Sequence, residues 1–257
     1  HLNLPTFNAP RSSLFAAATS DKSGELNRQA LEKTEAIKSF FREAKAYLQE
    51  TTHTATNLKL EAVKGLFDNS RKLFIHAGEV KQMLLAIDFV KEFGFNVVIV
   101  GGEASWQIAP LLKANNIAVI LNAAHRLPFT EDEDYDQPFK TPAILQKAGV
   151  LFALNDDANN ARYRNLAFNA GTAAAFGLTK EEALSAITLN AAKILGIDAK
   201  TGSIEPGKDA NIIISEGDIL DMRTSIITNA FIQGRQVDLA SKQTQLYERY
   251  MGKYGLK

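Results

Sequence analysis

The chain has 257 residues, 46% hydrophobic and 23% charged, a composition that supports a sizeable core and excludes a disordered or collagen-like polymer. Lys+Arg and Asp+Glu both number 29, so no net basic field draws nucleic acid or an anionic membrane; no apolar run approaches the roughly 18 residues of a spanning helix, and neither partner is expected. Without cysteine there is no disulfide framework, thiolate nucleophile or thiolate metal site, so any metal must rest on His, Asp and Glu.

The first residue is His1 rather than Met, from which we expect that an upstream segment is absent and any targeting signal with it; the compartment is not readable. Residues 1–24, with Pro5, Pro10 and a small-polar run ending at Gly24, predict an irregular lead-in. Leu26, Ala30, Ile37, Phe40, Phe41, Ala44 and Leu48 recur at helical spacing and predict a long amphipathic helix over residues 25–50. A polar break over residues 51–57, with His53 expected at the surface, precedes a short helix over 58–67.

The period then changes. Leu73-Phe74-Ile75 is a short apolar run, Val80, Met83, Leu84, Ile87 and Val90 mark a helix, and Val97 to Val100 form a β-branched run stopped by Gly101-Gly102. A helix over 104–114, a strand over 117–121, a long polar loop, a short helix near Ile144 and a strand over 150–154 follow. Four strands alternating with helices predict a parallel sheet covered on both faces. Two further helices are expected over 163–176 and 180–195, the second opened by a Thr179/Glu182 capping box. After Gly196 the pattern turns to short strands at 211–215 and 226–237, interrupted by Gly234, and then to a polar helix over about 240–251.

These shifts divide the chain into a lead-in and long helix (1–57), an alternating β/α region (58–200), a small β module (201–239) and a closing helix (240–257). Four strands are half of a (β/α)8 barrel, which takes about 250 residues when complete. An isolated half leaves strand edges and an apolar inner face open. The pattern therefore fits either an open doubly wound sheet or a half barrel completed by another segment.

Ligands of parallel α/β folds bind at the C-terminal strand ends. Those positions hold His76, Gly101-Gly102-Glu103, the 122–125 stretch ending in His125, and Asn155-Asp156-Asp157. A His and an Asp from two strands can converge on a divalent metal, but His76 alone reads equally well as a hydrogen-bonded histidine at a rim. Asp156 and Asp157 must point to opposite sides of their strand, and residues 155–160 also suit a polar turn. Gly101-Gly102 lacks the dinucleotide fingerprint and reads best as a tight turn. Asp132, Asp134 and Asp136 are spaced as in a calcium loop but lack its Gly and final Glu, which leaves a solvated acidic loop. His125 lies in a loop from which it can reach a pocket, or remain at the surface.

The run from Leu189 to Gly196, LNAAKILG, followed by Gly202 to Asn211, GSIEPGKDAN, resembles the C-terminal signature of the amidohydrolase superfamily, where the last barrel helix passes to a small β-sandwich. Phe74-Ile75-His76-Ala77 is similar to that family's fifth barrel strand, Asn155-Asp156-Asp157-Ala158 to its eighth, and Phe231 to Arg235 to the closing sandwich strand. The likeness covers about residues 58–237 and points to imidazolonepropionase-like and prolidase-like members. It implies an α/β fold: the C-terminal half of a TIM-like (β/α)8 barrel with part of a small β-sandwich appended.

The resemblance implies His76 and Asp157 as metal ligands, with Asp157 also the catalytic carboxylate that passes a proton from the attacking water to the leaving amine. Asp157 is preferred to Asp156 because a small residue, Ala158, follows it. The family's His-x-His pair occurs nowhere in the chain, and Gly101 stands where a second strand-end His is usual. Glu103 and His125 are the nearby groups expected to contact substrate or replace the lost donor.

The implied function is the C-terminal part of a metal-dependent hydrolase of amide or cyclic amide C–N bonds, acting on a small molecule. Its divalent metal, zinc first, is expected of the intact family and not tightly held by this chain alone, which is expected to be inactive without the missing N-terminal half or a partner chain that supplies it. The alternative is a metal-free relative that keeps the fold as a binding or partner subunit. Metal content after the missing half is added separates these two. Reversible folding of this chain as a monomer favours a third reading, an open α/β ligand-binding domain.

Overall fold

The structure is a computed structural model that describes residues 1–7, 20–50, 52, 55–130, 132–156 and 163–256. Its centre is a five-stranded parallel sheet in sequence order, β1 (Leu2–Asn3), β2 (Leu73–Ala77), β3 (Val97–Gly101), β4 (Ala118–Leu121) and β5 (Phe152–Leu154). The four strands expected near Leu73, Val97, Ile117 and Leu151 lie side by side, all parallel, because each crossover is a short helix that returns the chain to the adjacent position. β1 corrects the expected irregular lead-in. Leu2 and Asn3 satisfy their backbone groups on the free edge of β2, opposite Ile75 and His76.

One face of the sheet carries Leu73, Ile75, Val97, Ile99, Val119, Leu121, Phe152 and Leu154, all buried in the main core. Helices α4 (Val80–Phe93), α5 (Ala109–Ala114), α6 (Gln137–Lys147) and α7 (Leu166–Ala175) follow the strands, and the core takes Met83, Leu112, Leu145 and Ala170 from them. Outside α4 lies α1 (Ser20–Gln49), which starts earlier than its apolar spacing suggests. Its Phe41 ring meets Phe89 at 5.8 Å and Phe95 at 5.2 Å, and Phe67 meets Phe95 at 4.9 Å. This cluster joins α1 and α3 (Lys64–Phe67) to the α4–β3 hairpin; α2 (Leu58–Glu61) is separated from α3 by a break, so the expected single helix is two short ones.

The other face is covered only in part, which corrects the expected two-sided cover. Val98 and Ala153 are buried there under Ile194, while Phe74, Ala118 and Ile120 remain partly open. Ile194 belongs to α9 (Leu189–Leu195), split from α8 (Lys180–Ile187) at Thr188, whose φ −130 and ψ −91 leave the helical region. Lys72 Nζ fixes α9 by donating to the carbonyls of Ile194 at 2.6 Å and Lys193 at 3.2 Å, a cation on helix-terminal acceptors.

A second sheet is antiparallel, β6 (Ile212–Ser215), β7 (Ile227–Ile232) and β8 (Arg235–Gln236). Gln233 and Gly234, both left-handed, make the two-residue turn between β7 and β8. Ile213, Ile214 and Ile232 of this sheet are exposed. The chain ends in α10 (Lys242–Tyr254), none of whose side chains is buried. Among the described residues no helix is long and apolar enough to cross a membrane.

Candidate active site

The C-terminal ends of β2 and β3 carry two of the expected groups, His76 and Glu103. His76 is the fourth residue of β2, where alternation turns it away from the buried Ile75 and Ala77 towards the partly open face. Its Nε2 lies 3.0 Å from Nδ1 of His1, whose ring stacks on Phe74 at 5.1 Å.

Glu103 follows the β3 turn. Asn122, just past β4, donates Nδ2 to Glu103 Oε1 at 2.7 Å, and so orients the carboxylate. Glu103 Oε2 occupies space bounded by two glycines: a β-carbon on Gly78 would stand 2.6 Å from it, and one on Gly101 3.0 Å. Gly101 also has φ +107, a conformation that L side chains rarely adopt. Residue 101 is therefore more than a lost donor, because its missing side chain leaves room for the carboxylate from two residues on. The Asn122 Oδ1 atom is buried and unpartnered in the same place.

At the end of β5 Asp156 is 4% exposed, and neither of its carboxylate oxygens has a hydrogen-bond partner. Phe152 and Leu154 of the same phase enter the main core, whereas Ala153 packs on the open face. Alternation thus assigns Asp156 to the helix-covered side. Asp157 lies outside the described residues, as does His53.

His125, four residues past the end of β4, turns towards α7. It is exposed, with Nε2 2.7 Å from Thr172 Oγ1 on α7, and it lines an open groove of about 500 Å³ together with Phe168, Lys180, Leu220 and Arg223. Asn169 Oδ1 holds the preceding loop by accepting from the N–H groups of Ala124 at 2.9 Å and His125 at 3.3 Å. Across the groove, Arg223 hydrogen-bonds Asp221 and holds its carboxyl down at about 2, while Lys180 lowers that of Asp218. These charges are mutually paired. The acidic loop is solvated only in part, which corrects that expectation: Asp134 is exposed but Asp136 is buried, and they face Lys140 at 3.6 and 2.6 Å.

A catalytic zinc takes three protein ligands at about 2.0 to 2.2 Å. Among the described residues no group of three His, Asp or Glu side chains can hold an ion.

The sequence profile of the amidohydrolase family matches residues 27–240, most of the chain and the whole of the edge from β2 to β5. The chain belongs to the amidohydrolase family. Over 150 residues it is 35% identical to an imidazolonepropionase of Picrophilus torridus, covering 57% of this chain and 36% of that protein. An imidazolonepropionase of Rhizorhabdus wittichii is 33% identical over 113 residues, 42% of this chain and 26% of that one. Among solved structures, an amidohydrolase from Thermotoga maritima superimposes with a TM-score of 0.69 at 31% identity, covering 80% of this chain and 55% of that chain. A Xaa-Pro dipeptidase with bound methionine, TM-score 0.54 and 20% identity over 70% of this chain and 47% of that one, shares the fold. The chain thus spans between about a quarter and just over half of the length of these relatives. An amidohydrolase chain of this kind carries the TIM-barrel-like α/β fold in its parallel sheet and helices.

Two residues escape sequence reading. His1 and Asn169 are single polar residues whose partners lie 75 and 45 positions away, and no local pattern marks them; Asn122 reads in sequence only as a strand-end position, without its bond to Glu103.

Proposed function

We infer that this chain is the C-terminal part of a metal-dependent hydrolase of amide or cyclic amide C–N bonds, whose barrel and sandwich are completed by an N-terminal half, on the same polypeptide or on a partner chain. The single observation that supports this best is the family match over residues 27–240 combined with His76 and Glu103 at the C-terminal ends of adjacent strands of a parallel sheet. Partial exposure of Phe74 and Ile120, together with the exposed isoleucines of the small sheet, is what an apolar face awaiting cover presents. The likeness to imidazolonepropionases favours a small cyclic amide as substrate.

In this reading His76 and Asp157 would hold a divalent metal, which would supply Lewis acidity; Asp157 would take the proton of the attacking water and return it to the leaving nitrogen. Glu103, fixed by Asn122, accepts a hydrogen bond from a substrate N–H, and His125 contacts the substrate from the rim. With Gly101 supplying no donor, a single metal is expected rather than a pair.

One observation favours a second reading, a metal-free family member serving as a binding or partner subunit: Glu103 fills the space at residue 101 in which a ligand side chain would be needed. Supplying the N-terminal half and assaying cyclic amide hydrolysis alongside metal content tests both. Hydrolysis that is lost on chelation and restored by zinc supports the first reading. A metal-free, inactive complex that still binds the amide supports the second.

A further inference from the structure

We propose that Glu103 is a specificity-determining residue, and that it selects small amides carrying a cationic ammonium group. The turn after β3 holds its backbone on both sides: the Gly102 N–H donates to the Ala77 carbonyl at 2.8 Å, and the Ala104 N–H to that of Gly78 at 3.0 Å. Asn122 fixes the side chain by donating to Oε1 at 2.7 Å. An amide donor orients a carboxylate without neutralising it. Glu103 is partly buried, yet among the described residues none forms an ion pair with it. By contrast the partly buried Asp218 and Asp221 are matched to Lys180 and Arg223.

Oε2 is the oxygen left for a ligand. It stands 2.6 Å from the place of a β-carbon on Gly78, and Phe129 Cζ stands 3.2 Å from the same point, so the ring borders the carboxylate. Glu133 Oε2 holds that ring's residue by accepting from the Phe129 N–H at 2.7 Å. The Asn122 Oδ1, buried without a donor, is an acceptor too. Two acceptors that lack a donor thus lie beside an aromatic ring. A neutral N–H satisfies one of them, whereas an ammonium brings three donors and a charge, and a charge-assisted bond is about twice as strong as a neutral one. The ring takes the apolar carbons next to the ammonium, and an anionic amide is repelled. This inference rests on the first reading above for placing the substrate at the strand ends; it adds the charge that the substrate carries.

The test titrates three lactams of matched ring size onto the full chain at neutral pH: piperidinone, its amino derivative and its carboxylate derivative. Binding is read by NMR for wild type and Glu103→Gln, with the thermal midpoint as the control for folding. The wild type is expected to bind the amino lactam at least about tenfold tighter than the neutral one, and the carboxylate most weakly. In Glu103→Gln that preference is expected to fall to about twofold or less, and in the wild type it weakens as salt is raised. Nuclear Overhauser contacts between the amino lactam and the Phe129 ring locate the ligand without any variant. Equal binding of the amino and neutral lactams by wild type overturns the proposal, as does binding of neither, a preference that survives Glu103→Gln, or an amino lactam with no contact to Phe129. Hydrolysis is measured separately on the chain supplied with its N-terminal half. A Glu103-dependent preference without hydrolysis supports the proposal while the hydrolytic reading fails; hydrolysis of all three lactams at like rates, with no preference in binding, keeps that reading and overturns this proposal.

Discussion

Glu103 folds back over Gly101, its Oε2 3.0 Å from the place of a β-carbon on that residue and 2.6 Å from one on Gly78. The two positions differ in one respect: Gly101 has a left-handed φ of +107, and Gly78 does not. Gly101→Ala is therefore expected to lower stability by about 1–3 kcal/mol through backbone strain and contact together. Adding Glu103→Ala should relieve Gly78→Ala substantially but Gly101→Ala only in part. Urea unfolding of the single and double variants measures this; full relief of Gly101→Ala by Glu103→Ala would show that contact alone sets its cost.

Asn169 is 2% exposed and ties α7 to the loop after β4 through two accepted N–H bonds. Asn169→Ala leaves those donors without their acceptor, at a cost of about 1–3 kcal/mol. Asn169→Asp keeps an acceptor oxygen and should cost less. Amide exchange at Ala124 and His125 should quicken in the alanine variant alone, while exchange in β2 and β3 stays unchanged.

Lys72 is the link between the sheet and α9, the helix that covers Val98 and Ala153. Lys72→Met retains the apolar stem and removes the charged donor from the two terminal carbonyls, so a loss of about 1 kcal/mol is expected. Binding of an apolar dye should rise as α9 loosens. Equal dye binding by variant and wild type would mean that packing of Ile194 alone holds the helix.

The sequence makes β2 to β5 legible because each is a short β-branched or apolar run between helical periods, and such runs pair locally. It also marks His76 and Glu103 as strand-end groups. Gly101 reads in sequence only as a missing donor, since no sequence pattern shows that a carboxylate two residues later turns back into its space. The split at Thr188 is hidden in the same way: residues 180–195 keep helical spacing throughout, while the Thr188 hydroxyl bonds the Leu184 carbonyl at 2.6 Å and Ser185 bonds Asn190. The contact of His1 with His76 spans 75 positions and depends on an edge pairing of two residues, too short to leave a periodic trace.

Arg42 of α1 hydrogen-bonds Glu92 of α4 at 2.6 Å and lowers the Glu92 carboxyl below its ordinary range; it also pairs with Glu35. A lowered folded value means that the stabilisation is complete above the ordinary carboxylate range and is lost as pH falls through the folded value. Arg42→Gln should therefore reduce stability slightly at pH 7, because solvent screens an exposed pair. Its difference from wild type should shrink below about pH 4. Unfolding midpoints across that range check the sign, and a difference that grows with acidity would contradict it.

The proposed function turns on Asp157 as the group proposed to move the proton in hydrolysis. Its most direct test is the rate of cyclic amide hydrolysis, with an imidazolone among the substrates, by this chain supplied with its N-terminal half, comparing wild type with Asp157→Asn. Loss of a positioned general base predicts a fall of about 10² to 10⁴ in kcat with the thermal midpoint preserved. A variant that hydrolyses the amide within a few-fold of wild type would contradict the account.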